Sequence, residues 1–176
     1  IHRGLSAQVV KHNEYRFLID CGEGTQRQIL KSGIGFKRLN NILITHGHLD
    51  HILGLAGLFS TLSRWETIED ITIHGGKYAL ERIHNLLYGV QIVHPKKSQI
   101  EIKFDEINPG VIFDEETFKV TAFSVSHRGP DCFGYLFEEK PRRPFLSEKA
   151  DALGVPFGPQ RRDLVNGQQI TLEDGR

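Results

Sequence analysis

The chain is predicted to fold as an α/β protein with a mixed sheet, on three observations. Short apolar runs bounded by Gly, Asn and Asp alternate with apolar positions at helical spacing up to about Ile100. Beyond Ile100 the pattern turns to β alternation broken by turn-rich pieces such as Asn108-Pro109-Gly110. No internal repeat or linker interrupts the chain before residue 140.

The elements follow in order. Tyr15 to Asp20 and Asn41 to Thr45 are compact apolar runs of the kind used by central strands buried on both faces. From Ile52, the positions Leu53, Ala56, Leu58, Phe59 and Leu62 fit a helix, and Ala79, Leu80, Ile83, Leu86 and Leu87 fit a second. Ile71 to Ile73 forms a short strand between them. The later strands are expected over Ile100 to Phe104, Gly110 to Phe113, Thr117 to Val125 and Phe133 to Phe137, with a short helix near Ser147 to Leu153.

The 176 residues suit one core rather than two. With 39% hydrophobic residues, 25% charged and eleven Phe, the composition excludes a disordered chain. Lys plus Arg and Asp plus Glu are both 22, so any contact with nucleic acid must come from a local basic patch. Cys21 and Cys132 are far apart, without C-x-x-C spacing, which points to buried thiols in a reducing compartment. No run approaches the ~18 apolar residues of a membrane span, so a soluble, cytoplasmic protein without membrane partners is expected. The chain has no Met, opens on Ile1 and closes on Thr171 to Arg176 as a strand entering a turn, so a portion of a longer polypeptide is expected.

The chemistry is concentrated after the second strand, in His46-Gly47-His48-Leu49-Asp50-His51. His46 and His48 are two apart on an extended segment, so both imidazoles project to one side and can grip one cation. Asp50 and His51 follow where the chain turns into a helix and point another way, which suits two metals. Gly47 lets the ligands crowd together. Nitrogen and oxygen donors without thiolate favour Zn2+, with Mn2+ or Co2+ possible. Asp50 as a plain helix cap is the simpler alternative.

This H-x-H-x-D-H pattern resembles the signature of the metallo-β-lactamase fold superfamily, which implies an αββα sandwich, here its N-terminal half plus an inserted arm. Asp20-Cys21-Gly22-Glu23-Gly24-Thr25-Gln26 resembles a segment of tRNase Z, the endonuclease that removes 3′ trailers from precursor tRNA. Ser126-His127-Arg128 leading into Phe133-Gly134-Tyr135, and Leu153-Gly154-Val155-Pro156-Phe157-Gly158-Pro159, resemble the same family's next ligand segment and its flexible arm.

The resemblance implies a metal-binding core over 1–139, a tRNA-binding arm over 140–168 and a return to the core over 169–176. One zinc would be held by His46, His48 and His127 and the other by Asp50 and His51, two Zn2+ per complete site. Asp50 would accept the proton of the attacking water, and Asp20 would orient a ligand His or, alternatively, cap a turn. Arg142, Arg143, Lys149, Gly158, Pro159, Arg161 and Arg162 would hold precursor tRNA, and a homodimer is implied. From Lys140 to Arg162 six basic residues face Glu148 and Asp151, a local charge of +4 that overall neutrality hides.

Two things the family pattern needs have no counterpart before Arg176: an Asp bridging both metals and a final His. The strand that would precede Ile1 is also missing. Two other readings therefore stand beside zinc-dependent trailer removal. One is a small-molecule phosphodiesterase or other ester hydrolase of the same fold, with the arm incidental. The other is a non-catalytic RNA-binding half-protein.

Overall fold

A computed structural model of the chain describes residues 4–65, 68–89, 100–141, 144–172 and 174–175. Two compact units are formed, one from Ile1–Asp114 with Lys119–Glu138, the other from Glu115–Phe118 with Glu139–Arg176.

In the first unit, β1 (Gln8–His12), β2 (Tyr15–Ile19), β3 (Asn41–Leu43), β4 (Asp70–Gly75) and β5 (Glu101–Glu106) form a sheet in that spatial order. β1 is antiparallel to β2, and the remaining neighbours are parallel. Helices α1 (Thr25–Ser32), α2 (Leu49–Ile52), α3 (Leu55–Trp65) and α4 (Lys77–His84) connect the strands, and a π-helical turn, Asn85–Gly89, extends α4. A second sheet holds β6 (Gly110–Asp114), β7 (Phe118–Ser124) and β8 (Phe133–Glu139).

Alternation along the strands builds two interfaces from one sheet. Leu18, Ile42, Ile44, Ile71 and Ile73 form a core cluster with Ile29, Leu55, Leu58, Phe59, Leu62 and Ile83 of the helices. The intervening Phe17 turns the other way and meets Phe113 and Phe137 of the second sheet edge-on, at 5.0 and 5.3 Å between centroids. Burial on both faces is what the apolar runs at β2 and β3 require.

The structure departs from the sequence reading in four places. β1 was not expected: it pairs on one side only, and its short Gln8–His12 run alternates too weakly to stand out. The helix expected from Ile52 is two helices that break at Leu53 and Gly54, and the first already begins at Leu49. Asp50 and His51 therefore lie within a helical turn. β3 stops at Leu43: Ile44 N–H still reaches the His74 carbonyl of β4 at 2.8 Å, but Thr45 N–H goes to the Asp20 carboxylate. In the second unit α6 (Pro159–Val165) was hidden by the Gly-Pro density around its start, where Pro supplies the first helical position.

The break between α2 and α3 has a steric cause. Gly54 lies so close to the 20–24 loop that a Cβ there would fall 2.0 Å from the Gly22 carbonyl oxygen. A Cβ on Gly22 would fall 2.4 Å from the Asp50 carbonyl oxygen. Two backbones at this distance also bond, Cys21 N–H to His51 O at 2.7 Å and Gly54 N–H to Cys21 O at 2.8 Å. The Cys-Gly-Glu-Gly segment thus clamps the helix that carries Asp50 and His51.

The second unit contains α5 (Ser147–Ala152) and α6, and Ala150 and Val155 are buried. Val155 N–H closes the α5 end onto the Ala150 carbonyl at 2.9 Å.

Candidate metal centre

Asp20 anchors the site from the end of β2. Its backbone takes a left-handed conformation, φ 57°, and its N–H bonds the Leu43 carbonyl, so the chain leaves β2 with the buried carboxylate turned toward the end of β3. That carboxylate accepts the Thr45 N–H at 2.8 Å and the Thr45 hydroxyl at 2.9 and 3.0 Å. It also accepts His51 Nδ1–H at 2.6 Å and, more loosely, the Ser6 hydroxyl at 3.3 Å.

These bonds fix the tautomers. His51 donates its Nδ1–H to Asp20, which directs Nε2 to the other side of the ring. Thr45 has one hydroxyl proton and donates it to Asp20, so toward His46 Nδ1, 3.0 Å away, it is an acceptor. His46 Nε2 is thereby bare, and it lies 3.0 Å from His48 Nδ1. Burial pushes the His46 pKa down, and the neighbouring His51 and His48 push it further, keeping the ring neutral as a ligand must be.

His127 comes from the loop between β7 and β8. Val125 N–H bonds Cys132 O at 2.9 Å and closes the loop, and Phe133 N–H bonds the Thr45 carbonyl at 2.8 Å, one residue from His46. The half-buried Tyr135 hydroxyl, its pKa raised by desolvation, donates to the Ile44 carbonyl at 2.7 Å. The result is a group of three imidazoles, His46, His48 and His127, whose ligand atoms all lie within 4.8 Å of one another. The His51 ring stands 3.9 Å from that of His46, and His51 Nε2 is 3.6 Å from an oxygen of the exposed Asp50 carboxylate.

Helix α4 braces both ligand-bearing loops, a role the sequence does not signal. Arg82 donates to the Gly47 carbonyl at 2.7 Å, between the two His residues of the motif, while Tyr78 lies under the same guanidinium. A Cβ on Gly47 would press on Ala79, at 3.1 Å from its Cα. A Cβ on Gly76, just before α4, would fall 2.2 Å from Asp131 Cβ in the His127 loop. Arg82→Ala is expected to weaken divalent-metal affinity about tenfold, read by competition against a chelator, with Arg82→Lys recovering part of the loss. Equal affinity in wild type and Arg82→Ala would remove this brace from the account.

Other residues fall outside the centre. His74 is buried with Nδ1 on Asp105 at 2.7 Å and Nε2 on Asn41 at 3.1 Å, both ring nitrogens occupied. Burial raises the Cys21 thiol to about 12, which makes it inert. In the second unit Lys149 and Arg162 are exposed, and Gly158 and Pro159 open α6. Arg142 and Arg143 lie outside the described residues. Arg161, expected on an RNA-facing surface, is instead buried, its guanidinium spent on Val155, Pro156 and Asp151.

Comparison with known proteins bears on this arrangement. A family model described as "Anti-Pycsar protein Apyc1" matches residues 5–146. A protein of Bradyrhizobium diazoefficiens named Ribonuclease Z is 43% identical over 174 residues, 99% of this chain and 57% of that one. The chain belongs to the family of that model, and it is similar to proteins named Ribonuclease Z. The crystal structure of human tRNase Z, short form, superposes with a TM-score of 0.67 at 31% identity, over 80% of this chain and 60% of that one. The metallo-β-lactamase fold protein YhfI from Bacillus subtilis superposes at 0.57 and 18% identity, over 78% and 52%, and shows the shared fold. The chain spans about half the length of the curated ribonuclease Z relatives it matches. Membership of this fold implies a divalent metal.

The donors fit one. Two nitrogens each about 2.0–2.1 Å from a tetrahedral ion are about 3.3 Å apart, close to the 3.0 Å between His46 Nε2 and His48 Nδ1. Three imidazoles form a complete protein ligand set for one cation. Asp50 and His51 give a second cation two donors, one fewer than usual. Among the described residues, no helix is long and apolar enough to cross a membrane.

Proposed function

We propose that the whole protein is a zinc-dependent endoribonuclease that removes the 3′ trailer from precursor tRNA. The observation that carries this reading is the convergence of His46, His48 and His127, with His51 and Asp50 alongside, in a chain that matches ribonuclease Z relatives through its second unit. His46, His48 and His127 would hold one Zn2+, and Asp50 and His51 would contribute to a second. A divalent cation held there would lower the pKa of water and offset the charge of a phosphodiester.

The chain's own residues supply the rest. Asp50, exposed beside His51, takes up the proton released by the attacking water at its carboxylate. Asp20 and Thr45 hold His51 and His46 in the tautomers that face inward. The second unit acts as the tRNA-binding arm, with Lys149 and Arg162 on phosphates and Gly158 and Pro159 shaping the surface. A cytoplasmic homodimer is part of this reading.

The test is cleavage of a precursor tRNA carrying a 3′ trailer by the full-length protein. Activity should vanish with a chelator, return with Zn2+, and fall when Lys149 and Arg162 are reversed to Glu. The family model ends at residue 146, before α5 and α6, which keeps a small-molecule phosphodiesterase as the second reading. In that case the reversed charges would leave turnover unchanged and precursor tRNA would survive intact.

A further inference from the structure

We infer that Phe157 is a stacking platform for an exposed nucleobase of folded RNA, a proposal that rests on the RNA-binding reading of the second unit. Phe157 is 84% exposed, more than any other large hydrophobic side chain among the described residues. Leaving a phenyl ring in water forgoes about 1.5–3 kcal/mol of burial, so a protein that also fixes the ring in place points to an occupant for its open face.

The ring is fixed from behind. The Arg161 guanidinium carbon lies 3.7 Å from its centroid. That guanidinium cannot swing away, because Nε donates to Val155 O at 3.2 Å, Nη2 to the same oxygen at 2.7 Å, and Nη2 also to the Asp151 carboxylate. Phe145 stands 5.8 Å away and flanks the same cation. Gly158, directly after Phe157, has φ 126°, a backbone conformation in which a side chain would be strained. One face of the phenyl thus lies over a cation that is itself held in place, and the other is flat and open.

The surroundings choose the occupant. The +4 charge from Lys140 to Arg162, with Lys149 and Arg162 exposed, favours a polyanion that also presents aromatic faces, and folded RNA offers both. Stacking carries no phosphate contact, so Phe157 should add affinity without adding salt dependence.

Equilibrium binding of a mature tRNA transcript by the full-length protein separates these terms. Phe157→Ala should weaken binding about tenfold with an unchanged slope of log affinity against log salt. Phe157→Trp should keep the affinity and show indole emission quenched by tRNA beyond that of the parent, while Phe157→Leu should not restore binding. Equal affinity of Phe157→Ala and parent, or no added quenching, overturns the proposal while leaving the RNA-binding reading intact. A change in subunit association with tRNA affinity unchanged would also overturn it, in favour of a protein contact. A parent protein that does not bind tRNA removes both.

Discussion

Asp50→Ala is expected to abolish trailer cleavage, lowering the rate by about a thousandfold or more, while tRNA binding and thermal stability stay near those of the parent. The carboxylate is 58% exposed and makes one long approach, 3.6 Å to His51 Nε2, so its removal leaves no buried group unpaired. Its expected role is chemical: proton transfer by a placed carboxylate contributes on the order of 10²–10⁴ in rate, and a donor to the second cation goes with it. The assay is single-turnover cleavage alongside a tRNA-binding titration. Cleavage within tenfold of the parent would take Asp50 out of the reaction. If neither protein cleaves and both bind, the chain's parent is an RNA-binding module.

Asp20→Asn should act in the opposite sense, through the fold and the metal together. The two carboxylate oxygens accept from Thr45 N–H, the Thr45 hydroxyl, His51 Nδ1–H and the Ser6 hydroxyl. An amide replaces one acceptor with an NH2 that points donor to donor at this cluster. Stranding even one or two buried donors costs about 1–3 kcal/mol each, and a total near 3 kcal/mol is expected in denaturant unfolding. Metal affinity should fall about 10–100-fold as His51 and His46 lose their fixed tautomers. A variant that keeps parental metal affinity despite lower stability would show that Asp20 serves the fold alone.

The sequence made some of this visible and hid the rest for physical reasons. β2 and β3 were legible because strands buried on both faces are continuous apolar runs. His46 and His48 were legible because two residues of extended chain set their spacing. His127 had no local signal: only the bonds from Phe133 and Val125 place its loop, and its assignment came through resemblance. Thr45, Arg82 and Gly54 were missed because each acts on a residue remote in sequence. Thr45 looks like an ordinary strand threonine until the Asp20 carboxylate lies beside it. Arg161 misled because charge in sequence suggests exposure, whereas its planar fork is satisfied by carbonyls within its own unit.

The packing of α4 against both ligand loops carries a thermodynamic corollary. Gly47 and Arg82 join the helix to one loop, and Gly76 with Asp131 joins it to the other. Divalent-metal binding at His48 and His127 would therefore be coupled to the packing of α4, and a change that loosens the helix would weaken metal binding by the same free energy. Free metal at a hundred times its dissociation constant would add about 2.7 kcal/mol to the resistance of this unit against unfolding. Metal content and mechanical integrity of the β3–α4 region are then one quantity seen by two methods, and slow amide exchange along Lys77–His84 would report divalent-metal occupancy without any substrate being present.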